Sequence, residues 1–178
     1  QLAELVQNMP EPRQTVIRDR FKKAVDHFKS IGWFQNVAKL SHAANANKEK
    51  NVQAKLMKYV KSYFSAGIAC PFLENESCSI HESRPLSCRE YLVTSPAENC
   101  GDPKAETIQK VPLLLKPSKA VERVGQTGLH AKWGVVTLIR ALEFAESTPE
   151  KFPEKTGERW VAEFFEHLTD SKIPEADI

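Results

Sequence analysis

The segment Cys70-Pro-Phe-Leu-Glu-Asn-Glu-Ser-Cys78-Ser-Ile-His-Glu-Ser-Arg-Pro-Leu-Ser-Cys88-Arg-Glu-Tyr91 is where the pattern of this 178-residue chain changes. On either side of it, apolar residues recur at helical spacing. Between residues 70 and 104 they are scattered among Pro71, Pro85, Pro96 and Pro103, with neither helical nor strand periodicity. All four cysteines of the chain, Cys70, Cys78, Cys88 and Cys100, fall here. A loop of this length is uncommon in a compact domain unless something holds it. Four thiols have the number and chemistry of a tetrathiolate metal site or a four-cysteine iron–sulfur cluster. Coordination would order the loop, so the loop and the cysteines explain each other.

Upstream, Met9-Pro10-Glu11-Pro12 stops any helix and sets a boundary. From Arg13 the positions Val16, Ile17, Phe21, Ala24, Val25 and Phe28 follow a helical period, and Gly32 lies just beyond. A second short helix is expected from Trp33 to Ala44. A third is expected from Lys48 to Phe64, with Val52, Leu56, Tyr59, Val60, Tyr63 and Phe64 on one face. Gly67 then releases the chain. Downstream, Val111-Pro-Leu-Leu-Leu-Lys-Pro117 fits either an extended segment or a last helical turn. A strong helix is expected from Leu129 to Ser147, burying Val135, Leu138, Ile139, Leu142 and Ala145. Thr148-Pro149 reads as an N-cap and first helical position, although Pro153 leaves room for only a turn. The last helix runs from Gly157 to Asp170, with Trp160, Val161, Phe164, Phe165 and Leu168 at helical spacing. The expected fold class is all-α, a helical bundle interrupted by an irregular cysteine-rich metal-binding loop. One domain over residues 1–178 would comprise N-terminal helices (13–64), the loop (70–104) and C-terminal helices (105–170), with Phe21, Val25, Leu56, Val60, Ile139, Leu142, Trp160 and Phe164 in one core.

Composition is that of an ordinary globular protein, 41% hydrophobic and 27% charged. No stretch has the ~18 apolar residues of a membrane span. No signal peptide is visible, which makes the cytoplasm the expected compartment. Charge is unevenly placed. Residues 13–61 carry twelve Lys or Arg against three acids, and residues 139–178 carry five against ten. The basic segment suits an acidic protein or nucleic-acid partner, while the plainer reading is a set of solvated helix faces. Gly-x-Gly-x-x-Gly, P-loop, His-Glu-x-x-His and Gly-x-Ser-x-Gly patterns do not occur.

The cysteine spacing is Cys-x7-Cys-x9-Cys-x11-Cys, without the short knuckle that opens most zinc ribbons. Two disulfides, or four independent buried thiols, are the alternatives to a shared centre. Beyond spacing, Cys70-Pro-Phe-Leu, Cys78-x-Ile80 and Arg84-Pro85-x-x-Cys88-Arg89-x-Tyr91 resemble the signature of the YkgJ-like cysteine-cluster family, described as zinc- or iron-chelating. The resemblance covers about 22 residues. Members commonly carry further cysteines upstream, and residues 1–69 contain none. Cys70-Pro-Phe-Leu is also similar to part of flagellin lysine N-methylases, which implies a cluster-containing methylase-like enzyme as an alternative. No residues of a methyl-donor pocket can be named, so the sequence decides no enzymatic activity.

Cys70, Cys78, Cys88 and Cys100 are therefore the expected ligands. A [4Fe–4S] cluster is preferred, because a cubane is wider than one ion and accepts long ligand spacings, with zinc the alternative. Either centre is a formal dianion, and Arg84 and Arg89 stand close enough in sequence to stabilise it from outside the ligand set; capping loop carbonyls is their other reading. Pro85 should shape the loop, and Phe72, Leu73 and Tyr91 should pack it onto the bundle. His81, between Cys78 and Cys88, is the best substitute ligand, with a turn cap or a water-facing side chain its plainer reading. His27, His42, His130 and His167 read as ordinary helix histidines.

Overall fold

The corner between the first two long helices is made by a single glycine. Gly32 has a φ of +67°, a conformation that a Cβ disfavours. Its N–H bonds the Lys29 carbonyl at 3.0 Å, and its own carbonyl accepts the Asn36 N–H at 3.1 Å. One residue thus closes the preceding helix and opens the next. The computed structural model describes residues 1–45, 51–96, 107–124, 136–148 and 153–172. These are mostly helical: α1 is Leu2–Gln7, α2 Arg13–Ser30, α3 Trp33–Asn45, α4 Val52–Phe64, α5 Leu86–Arg89, α6 Pro117–Arg123, α7 Ala141–Ser147 and α8 Gly157–Thr169. No described helix is long and apolar enough to cross a membrane. The chain divides into two compact units, Gln1–His81 with Thr94–Gln109, and Glu82–Val93 with Lys110–Ile178.

In the first unit the α2 stripe is the core. Ile17, Phe21, Ala24, Val25 and Phe28 are buried, joined by Val6 of α1, Trp33 of α3 and Val52 of α4. Phe28 stacks on Tyr63 with ring centroids 4.9 Å apart and meets Trp33 edge-on at 5.5 Å. The Trp33 indole N–H donates to the Tyr59 carbonyl and to Ser62 Oγ, each at 3.2 Å, which pins α3 to α4. Val16 points outward. On α4 the expected stripe is only partly buried: Leu56, Tyr59 and Tyr63 are half-buried, and Val60 and Phe64 are exposed.

In the second unit α6 packs on α8, and Ala120, Ile139 and Leu142 are buried. The expected helix from Leu129 to Ser147 is shorter in its described part. Thr137 is extended, with ψ of 142°, and a 3₁₀ turn over Leu138–Arg140 leads into α7. Val136 and Thr137 are β-branched and have poor helix propensity, which suits the non-helical backbone seen just before the turn. Leu138 is half-buried and Ala145 exposed, while Val135 lies outside the described residues. Thr148 is extended at the end of α7, and Pro149 also lies outside them. Val111–Lys116 is not helical, and Leu114 and Leu115 are exposed. On α8, Trp160, Phe164 and Leu168 are half-buried, whereas Val161 and Phe165 face out. Lys155 lies over the Trp160 ring at 4.8 Å and also pairs with Glu163.

Burial in the aromatic cluster, helped by negative charge at Cys70, pushes the Tyr63 phenol up to about 12. Its folded pKa is raised, so its contribution to stability is intact below the unfolded value of ~10. That contribution is lost as pH climbs through about 12. Denaturant unfolding across this window should therefore show Tyr63→Phe losing less stability than the parent. Parallel curves for the two proteins would exclude the effect.

Candidate metal centre

The segment carrying Cys70 and Cys78 has a structure of its own. Leu73–Glu74 and Ser77–Cys78 form an antiparallel hairpin, β1 and β2, in which Leu73 faces Cys78 and Glu74 faces Ser77. Its two-residue turn, Asn75-Glu76, has φ of +48° and +59°, the sign required at both central positions of a type I′ turn. The Leu73 N–H bonds the Cys70 carbonyl at 2.9 Å, and the Ser79 N–H bonds the Phe72 carbonyl at 2.9 Å. Cys78 is therefore folded back beside the start of the segment rather than extended away from it. The expectation of a wholly irregular loop is corrected: strands of two residues are too short to display a period of two.

Three contacts seat this hairpin on the N-terminal half of α2. Phe72, 1% exposed, meets Phe21 edge-to-face at 5.3 Å, with Pro71 and Ile80 buried beside it. Arg13 donates to the Ser79 carbonyl at 3.2 Å and to Glu74 at 3.3 Å. Arg20, two helical turns later, donates to the carbonyls of Pro71 and Leu73 at 3.1 and 3.3 Å and lies 3.7 Å from Glu74. Part of the basic segment thus serves the cysteine hairpin. The expectation that Phe72 packs onto the helices holds. Leu73 and Tyr91 do not pack so: both are exposed, and Tyr91 carries Lys110 over its ring at 5.1 Å.

Cys88 belongs to the second unit, inside α5. Pro85, extended with ψ of 153°, precedes that short helix, and the Cys88 N–H bonds the Pro85 carbonyl at 2.9 Å. The Arg89 guanidinium turns back onto its own loop. Its Nε donates to the Arg84 carbonyl at 2.8 Å, and a terminal nitrogen donates to the Glu82 carbonyl. These are the carbonyl-capping contacts foreseen as one of its two roles. Glu90, next in the chain, accepts the Ser118 N–H at 2.6 Å and the Ser118 hydroxyl. A carboxylate is thereby placed at the N-terminus of α6, where the helix dipole favours it. Neither Glu90 nor the α2 arginines announce these roles in sequence. Their partners lie 28 to 66 residues away, and local pattern carries no signal at that range.

Cys70 is exposed, and Cys78 and Cys88 are half-buried; no disulfide joins any two of these three. Cys100 lies outside the described residues. Among the described residues, no three His, Cys, Asp or Glu side chains form a group able to hold a metal ion. The donor chemistry nevertheless suits zinc or iron, both of which accept thiolate.

Residues 33–112 match the CxxCxxCC family, whose description is "Putative zinc- or iron-chelating domain". This is the cysteine-cluster family that the Cys70–Tyr91 signature resembles. The matched region takes in all four cysteines and a little under half of the chain. The Cys-x2-Cys-x2-Cys-Cys run of the family name does not occur in it. No curated protein and no solved structure matches the chain.

Replacing Phe72 by Ala removes the one aromatic side chain that seats the hairpin and should cost about 3–5 kcal/mol. Replacing Arg20 by Met, which keeps an apolar stem near the same place, should cost about 1 kcal/mol or less, because the pair with Glu74 is partly exposed. Chemical denaturation of both variants tests the ranking. Equal costs would mean that the arginines, not the ring, hold the segment.

Proposed function

We propose that this chain is a metal- or cluster-binding protein in which Cys70, Cys78, Cys88 and Cys100 are thiolate ligands of one zinc- or iron-containing centre. The observation that supports it best is the match of residues 33–112 to a zinc- or iron-chelating domain, taken with the confinement of every cysteine to that region. Four thiolates complete the ligand set of zinc or of a cubane cluster without help from His81. A [4Fe–4S] cluster is the preferred occupant, and zinc is the alternative. Bound there, a cluster would supply one-electron chemistry, and zinc would cross-link the segment.

The chain's own part is to present the sulfurs. The hairpin on α2 fixes the positions of Cys70 and Cys78 in the first unit, and the Pro85, Arg89 and Glu90 contacts fix the backbone at Cys88 in the second. Arg84 and Arg89 add positive charge in the Cys88 segment, which favours a dianionic centre electrostatically. A role in electron transfer, metal handling or local order needs only these residues. A methylase-like activity needs a methyl-donor pocket, for which no residue has emerged.

Protein isolated without oxygen should contain iron and acid-labile sulfide and absorb broadly near 400 nm (roughly, as thiolate-bound iron–sulfur does). Cys78→Ser and Cys88→Ser should each lose most of the bound metal. Their far-UV dichroism should keep the helical signal, because the buried stripe of α2 does not involve the thiols. A colourless anaerobic sample with one zinc per chain would replace the cluster by zinc. A sample with neither metal would remove the proposal.

A further inference from the structure

Two helices, one in each unit, keep apolar side chains in solvent beside the face that packs. α4 lies on α3, with Val52, Leu56, Tyr59 and Tyr63 buried or half-buried. Next to them on the helix run Met57, Val60 and Phe64, at i, i+3 and i+7, which are 46, 44 and 53% exposed. α8 lies on α6, with Trp160, Phe164 and Leu168 half-buried. Beside them Val161 and Phe165, at i and i+4, are 57 and 44% exposed. Residues at these spacings form a narrow seam along one side of a helix. Both helices are thirteen residues long, about 20 Å, so the seams match in reach.

Their charges differ in sign. Lys58 and Lys61 border the α4 seam, and α4 contains no Asp or Glu. Glu158 stands one turn before Val161, and α8 carries three Glu against one Arg. Two α4 seams, or two α8 seams, laid together would place like charges alongside each other. An α4 seam against an α8 seam places Lys alongside Glu.

We propose that the α4 seam of one copy of this chain is the docking surface for the α8 seam of a second copy. Removing the exposed apolar side chains from water drives the contact, and the bordering charges select the pairing. The contact is heterologous, since it joins different surfaces of two identical chains. Seams this short involve fewer residues than the ~20–30 a side of a standard stable interface, so the association is weak, roughly micromolar. The thiolates take no part in it.

Sedimentation velocity of the full, reduced chain over about 1–100 µM is the experiment. The average mass should rise with concentration. Cys78→Ser should associate as the parent does, which separates the seams from the thiolates. Val60→Glu and Val161→Glu should each weaken self-association by at least about tenfold, because each buries a charge at the contact. Mixed in equal amounts, these two variants should form a one-to-one complex that neither forms alone: one keeps an intact α8 seam, the other an intact α4 seam. Val16→Glu, at an apolar position of α2 that is also 43% exposed, should change self-association less than about twofold. Far-UV dichroism should keep its helical signal throughout, and where a Glu variant loses it, Val60→Ser or Val161→Ser takes its place. A chain that stays monomeric at about 100 µM overturns the proposal. So does self-association that survives in either seam variant, a mixture that stays monomeric, or an equal loss in Val16→Glu.

Discussion

The edge-to-face contact between Phe72 and Phe21 is the constraint on which the placement of the first two cysteines depends. Phe72 is almost fully buried and sits between Cys70 and Cys78 in sequence, so burying it fixes the chain on both sides of the ring. The polar contacts around it are more numerous but individually weaker. Arg13, Arg20 and Glu74 keep roughly a third of their side-chain surface in solvent, where an ion pair contributes about 1 kcal/mol or less. A buried phenyl ring contributes about 3–5 kcal/mol. Packing therefore holds the hairpin, and the arginines set its orientation by taking up carbonyls that its short ladder leaves without partners.

The second unit reaches a comparable result by other means. Among the described residues of this unit no aromatic side chain is buried. Arg89 gathers the carbonyls of residues 82 and 84, and Glu90 is tied to Ser118 at the head of α6. The Arg89 bonds are charge-assisted and exposed, and those of Glu90 are part-buried, so the Arg89 contacts should yield more readily than the Phe72 packing to salt and to denaturant. Each arm is ordered by protein contacts within its own unit. A centre bound to the thiolates would add to the order that these contacts give the described residues around Cys70, Cys78 and Cys88.

How far sequence could see follows from the range of the interactions. The helices from Arg13 to Phe64 and from Gly157 to Thr169 were readable because apolar residues repeat every three to four positions. Gly32 was readable because a glycine after such a stripe marks its end. Val60, Phe64, Val161 and Phe165 misled because periodicity gives the direction of a face, not what covers it. The hairpin at Leu73–Cys78 escaped because each strand has two residues and its turn uses Glu76 where glycine is the common signal. The four cysteines stood out as a set through composition alone. The residues that tie down the Cys70, Cys78 and Cys88 segments, Arg13, Arg20 and Glu90, are ordinary charges until the fold brings their partners to them.

The central claim is that the Cys70–Cys78 hairpin is built by the protein and stands without metal. Amide hydrogen exchange on metal-free, reduced protein tests it most directly, at the N–H groups of Leu73 and Ser79, which bond the Cys70 and Phe72 carbonyls. The account predicts that both amides are protected before any metal is added, and that Phe72→Ala abolishes the protection. Amides that exchange freely until zinc or iron is supplied would contradict it, and would return the ordering of this segment to the metal.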